Sequence, residues 1–248
     1  MPHSFIHRLN SAHGLVRALV VLASLIAWQP AAAQLKVSES VIEMQANEQE
    51  TTIQMSNSGS EPLTVSLNLT RVLSAGTFGP TDEVTQPVAP SVMSIAPNNF
   101  KIAPNQTVSV YVRRAVHHVD TDEIYRVRVM PSIAQAQSGM NIRLSYDLLL
   151  MVRPQNSQPD IQLTQTNNDI ALINHGNSNA LLSSMAVCDE LLGVCKSLRN
   201  IRLYTHQVLP LTIPTTFNLN HTVVKTTQTH RAQNRRVNYR LPTVSVSR

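Results

Sequence analysis

Apolar and polar positions alternate through the chain in short bursts, and the longest burst is Asn141–Pro154 with Met140 ahead of it. Met140, Ile142, Leu144, Tyr146, Leu148, Leu150 and Val152 form one row. The other row runs Asn141, Arg143, Ser145 and Asp147, then Leu149, Met151 and Arg153. A period of two is the mark of a half-buried β-strand. The pattern predicts a strand of about 13 residues, where about 5–6 is usual, ended by Pro154. Its second half is apolar on both faces, as for a strand running into a covered sheet. Its first half keeps one polar row. A strand that outruns its own domain is either a liability or a tool.

The rest of the chain lacks sustained helical periodicity with caps. Shorter alternating runs are Leu35–Met44, Thr51–Ser56, Leu63–Leu73, Thr107–Val112 and Ile124–Met130. Ala75–Asn99 is loop-rich, with a short strand at Val92–Ile95, and Phe100–Ile102 leads into the turn Ala103–Gln106. Close-spaced strands with turn residues between them predict an all-β antiparallel sandwich. Pro154–Pro159, polar and bracketed by prolines, is the clearest boundary, and beyond it the pattern restarts. The run from Ile53 (IQMSNSGSEPLTVSL) and the run from Ile170 (IALINHGNSNALLSSM) share a strand, an Asn-x-Gly turn and a second strand. This is a weak internal duplication, since such turns are common hairpin devices. Further strands are predicted at Leu181–Val187, Ile201–Tyr204, Thr222–Thr227 and Val237–Leu241.

The chain opens with His3, His7, Arg8 and Arg17, an apolar run at Leu15–Ala27, and the small triplet Ala31–Ala33. That order predicts a cleaved export signal over 1–33. The apolar run is short of the roughly 20 residues that a membrane span needs. No later stretch is long enough to cross a bilayer, so membrane insertion is not expected. Removing 1–33 takes two of the 20 basic and none of the 15 acidic residues, leaving a net +3 on 215 residues. Mild basicity scattered among strands gives nucleic-acid binding little support. Cys188 and Cys195 are the only cysteines and sit seven apart. In an exported chain they read as one local disulfide; no second Cys pair or nearby His pair completes a metal site. Free thiols fit only a chain that is not exported.

Taken in order, several motifs resemble the periplasmic chaperones of pilus assembly by the chaperone–usher route. They are Ser56-Asn57, Pro104 with Thr107–Arg113, Glu123–Val127 with Pro131, Val152-Arg153-Pro154, and Leu172–Asn177. The cysteine pair in the second half is closest in style to the common-pilus and class 5 fimbrial branch. The resemblance implies two immunoglobulin-like domains in an L, over 34–154 and 155–248. It implies a periplasmic protein that binds pilus or fimbrial subunits 1:1 and passes them to an outer-membrane usher. The chaperone would lend a strand to a subunit that lacks its last one: backbone pairs with edge, and alternate side chains fill the groove. The lent row is then Met140, Ile142 and Leu144, extended by Tyr146. An exposed donor edge also allows a self-capped dimer.

In the better-known chaperones a basic pair anchors the subunit's terminal carboxylate. The corresponding positions here, Leu149 and Ser40 or Val41, are not basic. Other cations on first-domain strands are Lys36, Arg71, Arg113, Arg143 and Arg153. Arg143, on the polar row of the donor strand, and Lys36 are the anchor candidates. By the same resemblance Arg113 and Glu123 form a structural ion pair near the domain junction.

Catalysis needs convergent groups, and none is apparent. His117 and His118 are adjacent and point apart on a strand. Nucleophile-elbow, phosphate-loop and zinc motifs are missing. Neither an enzyme nor a cofactor is expected. The alternatives are a pilus structural subunit and a secreted two-domain binding protein without chaperone activity.

Overall fold

The computed structural model describes residues 35–76, 83–133, 144–166 and 169–241. The expected export signal and the expected donor-row residues Met140 and Ile142, with Arg143, lie outside them. The first sandwich has ten strands: β1 (Leu35–Val37), β2 (Val41–Gln45), β3 (Glu50–Asn57), β4 (Leu63–Val72), β5 (Thr85–Pro87), β6 (Met93–Ala96), β7 (Asn99–Ile102), β8 (Thr107–Arg114), β9 (Glu123–Ile133) and β10 (Tyr146–Arg153). One sheet runs β1-β3-β8-β6 and the other β2-β10-β9-β4-β5, with β7 also on β4. The alternate rows meet between them: Ile53 and Met55 of β3 face Val127 and Val129 of β9 and Leu148, Leu150 and Val152 of β10 in one buried core. Leu150 is fully buried, so Leu150→Ala is expected to cost about 2–5 kcal/mol, measured by denaturant unfolding.

Leu35–Met44, which the alternation reads as one strand, is two. β1 pairs with β3 in one sheet and β2 pairs with β10 in the other. The crossing is made at Ser38, whose backbone N–H donates to the Gln54 carbonyl and whose Oγ accepts from Gln54 N–H. The β2–β10 pairing is parallel, a departure from the purely antiparallel expectation.

The second sandwich has β11 (Ile161–Thr166), β12 (Asp169–Asn174), β13 (Ala180–Asp189), β14 (Val194–Ser197), β15 (Ile201–Leu203), β16 (Val208–Leu211), β17 (Thr222–His230) and β18 (Gln233–Arg240). Its sheets run β11-β12-β16 and β14-β13-β17-β18, with β15 also on β13. Its core is separate, from Ile161 and Leu172 to Val224 and Tyr239. Pro210 sits inside β16, an edge strand, where its missing N–H costs the ladder nothing.

The duplication read from Ile53 and Ile170 recurs as one hydrogen-bond plan. Asn57 and Asn174 are both buried. Each Oδ1 accepts from the glycine N–H two residues on, at 2.9 and 3.0 Å. Each Nδ2 donates to the carbonyl four residues on (Glu61, Ser178) and to a distant strand (Ile102, Leu203). Each backbone then grips a turn whose third residue has positive φ, Asn105 at 59° and His206 at 60°. Such turns tolerate Asn and, less often, His. The two sandwiches therefore share a local design. A disulfide joins Cys188 to Cys195. It closes a short hairpin, so its removal is expected to cost about 2 kcal/mol, read as a lower melting temperature of a Cys188→Ala/Cys195→Ala variant.

Candidate functional site

β10 divides into two parts. Over Leu149–Arg153 it is paired on both sides, with β9 and with β2. Over Tyr146–Leu148 it is paired with β9 alone among the described residues. Leu149 N–H donates to the Ser40 carbonyl, so odd-numbered amides of β10 face the β2 side. That of Asp147 consequently faces the open edge, where β2 no longer reaches.

Side chains divide the same way. Leu148, Leu150 and Val152 belong to the core of their own sandwich. Tyr146 is half-buried against that core, and its hydroxyl donates to the Leu35 carbonyl at 2.6 Å. The ring closes the end of the sandwich. Leu144, two residues further out on the same row, is 57% exposed. The row therefore passes from core to surface between Tyr146 and Leu144.

The opposite face of β10 meets the second sandwich. Leu149 and Met151 pack with Val72 and Ile124, and Tyr204 lies against them from beyond β15. At the end of β10, Arg153 is fully buried. Its Nε and Nη2 donate to Glu43, and Nη1 donates to Asp122 at 2.9 Å, Ser178 Oγ at 2.7 Å and the Asn179 carbonyl at 3.2 Å. Asp122 in turn accepts from the Ser178 hydroxyl, from Asn179 N–H at 2.6 Å and from the Asn179 amide. Burial raises the Glu43 carboxyl, but the hydrogen bond and charge of Arg153 outweigh it and hold Glu43 below its ordinary value. Arg153 is thus saturated and cannot serve as a free anchor. Its lone charge at the end of an apolar strand was visible in sequence; its partners Glu43 and Asp122 were not, being 110 and 31 residues away.

The expected Arg113–Glu123 pair does not form. The two residues stand on β8 and β9, in opposite sheets. Arg113 bonds Glu50 at 2.5 Å on the surface and stacks over Tyr111. Glu123 bonds Arg71 at 3.2 Å, His117 at 3.0 Å and the Tyr125 hydroxyl at 3.0 Å. Burial, then the Glu123 charge, pushes the Tyr125 phenol well above its usual range. The junction pair is Arg153–Asp122, one residue earlier in the chain than Glu123.

Lys36 is exposed on β1, next to the Leu35 that Tyr146 touches. It lies at the open end of the sandwich, away from the junction. The positions expected to correspond to the basic pair of better-known chaperones do come together: Leu149 is the register partner of Val41, and its N–H donates to the Ser40 carbonyl. Two residues along on the same face is the pair Met151–Glu43, and there the second sandwich contributes Arg202. Its Nη1 donates to Asn179 Oδ1 at 2.7 Å and touches Met151 Sδ at 3.9 Å. Among the described residues it forms no direct ion pair, although the Glu43 and Asp122 charges bear on it from further off. Desolvation, with the like charge of Arg153, lowers its pKa against the opposing charges of Tyr204, Glu43 and Asp122. Nothing in the alternation of IRL singles Arg202 out.

Ser157 Oγ lies 3.1 Å from His230 Nε2, superficially a nucleophile with its base. Ser157 is buried in the junction, its hydroxyl bonded to Ser178 at 2.7 Å. His230 Nδ1 contacts the Asn179 carbonyl and Arg231 contacts the Pro154 and Gln155 carbonyls, so the β17–β18 turn grips the interdomain linker. This arrangement holds a joint and offers no access to a substrate.

A family model, pili and flagellar-assembly chaperone, PapD N-terminal domain, matches residues 34–158. The chain belongs to this chaperone family. The fold agrees over both sandwiches. The class 5 fimbriae chaperone CfaA is 13% identical with a TM-score of 0.63, over 83% of this chain and 98% of that one. A chain of the CsuC–CsuE chaperone–tip adhesion subunit pre-assembly complex from archaic Csu pili of Acinetobacter baumannii is 14% identical with a TM-score of 0.62, over 85% and 100%. A chain of the chaperone–tip adhesin complex of CFA/I fimbriae is 15% identical with a TM-score of 0.60, over 84% and 99%. No curated protein matches the sequence. These similarities extend the family's two-sandwich, immunoglobulin-like fold to this chain. Among the described residues no helix is long and apolar enough to cross a membrane.

Proposed function

We propose that this family member works in the periplasm as a pilus-assembly chaperone. It holds a subunit 1:1 by donating the leading part of β10, then yields it to an outer-membrane usher. The observation that carries the reading is the change in β10 from a strand paired on both sides to one that, among the described residues, is open on one edge at Tyr146–Leu148, with exposed Leu144 continuing the row. A subunit edge would pair with that open side while Leu144, Ile142 and Met140 fill its groove. Tyr146 is committed to its own sandwich and marks the inner limit of the donor row. The same edge, left unfilled, would let the free protein cap itself as a dimer. Co-expression with sandwich-type secreted subunits and pull-down from the periplasm should return a 1:1 complex. A folded monomer that retains no subunit would instead fit a two-domain binding protein.

For the subunit's terminal carboxylate we favour Arg202 over Lys36 and Arg143. Its guanidinium is half-buried at the junction against Met151, two residues along β10 from the non-basic Leu149, and it forms no direct ion pair among the described residues, although Glu43 and Asp122 act on it through charge. A charge-assisted hydrogen bond contributes about 1.5–3 kcal/mol. Arg202→Ala is therefore expected to weaken subunit binding by roughly 10- to 100-fold, with partial recovery in Arg202→Lys. An unchanged Kd would remove Arg202 from this role and return Arg143 and Lys36 to consideration.

A further inference from the structure

The tip of the β13–β14 hairpin carries Leu191, Leu192 and Val194, exposed by 67, 56 and 51%. Loop tips ordinarily take polar turn residues, because nothing there repays exposing apolar surface. This tip is also held in one shape. The Asp189 carboxylate accepts from Leu191 N–H at 2.9 Å, Leu192 N–H at 3.1 Å and Asn218 N–H at 2.7 Å. The Cys188–Cys195 disulfide closes the ladder directly behind it. Gly193 takes φ +66°, and a Cβ there would meet nothing within 4 Å, so the turn projects into open space.

Cations stand one to three rungs behind the tip. Lys196 is exposed on β14, opposite Val187. Arg240 and Lys225 approach Glu190 at 2.7 and 3.8 Å, so two cations flank one exposed carboxylate while Lys196 stands on the other face of the sheet. The charge of the whole chain is divided in the same sense. Residues 155–248 hold nine basic and four acidic residues, whereas residues 34–154 hold nine basic and eleven acidic.

We propose that this hairpin tip docks the protein reversibly on an anionic phospholipid bilayer. Leu191, Leu192 and Val194 enter the headgroup boundary while Lys196, Lys225 and Arg240 meet lipid phosphates. A bilayer accepts a convex apolar tip without a matching socket, whereas a protein partner must supply one. Long cationic side chains set back from the tip reach the headgroups along their own stems. Docking by the basic sandwich leaves β10, on the acidic one, free for its client.

The test is co-sedimentation of the mature, disulfide-bonded protein with vesicles of equal phosphatidylglycerol and phosphatidylcholine, and with phosphatidylcholine alone. The expected result is binding to the anionic vesicles only, lost on raising the salt. Leu191→Asp/Leu192→Asp should reduce it by about ten-fold or more, and Lys196→Glu should weaken it, with thermal unfolding unchanged. Trp28 is the only tryptophan and lies in the leader. A Leu192→Trp variant thus reports directly, by a blue shift with anionic vesicles. No binding, equal binding to neutral vesicles, or binding untouched by the leucine changes overturns the proposal. So does a tip-dependent complex with a soluble acidic protein when vesicles fail to bind.

Discussion

Leu144→Asp is expected to abolish subunit capture and leave the chaperone folded. Leu144 is mostly exposed in the free protein, so a charge there meets water and costs the fold little. In a complex the same carboxylate would be driven, unpaired, into an apolar groove, at a cost of several kcal/mol. Each 1.4 kcal/mol is ten-fold in affinity, so the loss should exceed about 100-fold. Ile142→Asp should act alike, since it continues the same row. Leu148→Asp provides the contrast: Leu148 is in the core, and that variant should fail to fold. The measurements are subunit pull-down and thermal unfolding side by side. Normal capture by Leu144→Asp and by Ile142→Asp would remove the donor row from the account.

The second large effect is expected at the junction. Arg153→Ala leaves Glu43 and Asp122 facing each other without their shared cation, and Asp122 is almost fully buried. Breaking a buried pair from one side costs about 3–5 kcal/mol. Because Arg153 also bonds Ser178 and the Asn179 carbonyl, the two sandwiches should lose their coupling. Unfolding should shift to lower denaturant and separate into two transitions. A shift of less than about 1 kcal/mol, the range of exposed pairs, would show that the cluster is not what joins them. The pH dependence follows from Glu43, whose folded pKa is depressed. Its contribution is present above the ordinary glutamate value near 4.5 and is lost as pH falls through the lower folded value. Wild type should therefore lose stability on acidification below about 4.5, and Glu43→Gln should lose less over that range.

The period-two rows of β3, β4, β8 and β9 were legible because each strand has one face in a core and one largely in water. The switch of β10 to apolar on both faces was legible too, and its physical reason is the second sandwich lying over Leu149 and Met151. Asn57 and Asn174 could be matched because one turn chemistry needs one residue type twice. The break at Ser38 was not legible, since two strands on opposite sheets keep one alternation if the crossing is short. β11, a plain alternating run at Ile161–Thr166, was overlooked after the proline-bracketed linker. Ion-pair partners were the weakest point. Arg113 found Glu50 and Glu123 found Arg71 because register between distant strands, which the sequence does not print, decides which charges meet. Arg202 was invisible for the same reason: its setting is made by β10 of the other sandwich.

The most direct test of strand donation is amide hydrogen exchange at Ser145 and Asp147, compared between free chaperone and a 1:1 complex. The Asp147 N–H faces the side of β10 that has no partner among the described residues, and Ser145 precedes it by two in the same alternation. Donation to a subunit edge predicts fast exchange when free and strong protection in the complex, with Tyr146 and Leu148, already facing β9, changing less. Equally fast exchange at Ser145 and Asp147 within a stable complex would contradict it, and the subunit would then have to be held by another surface.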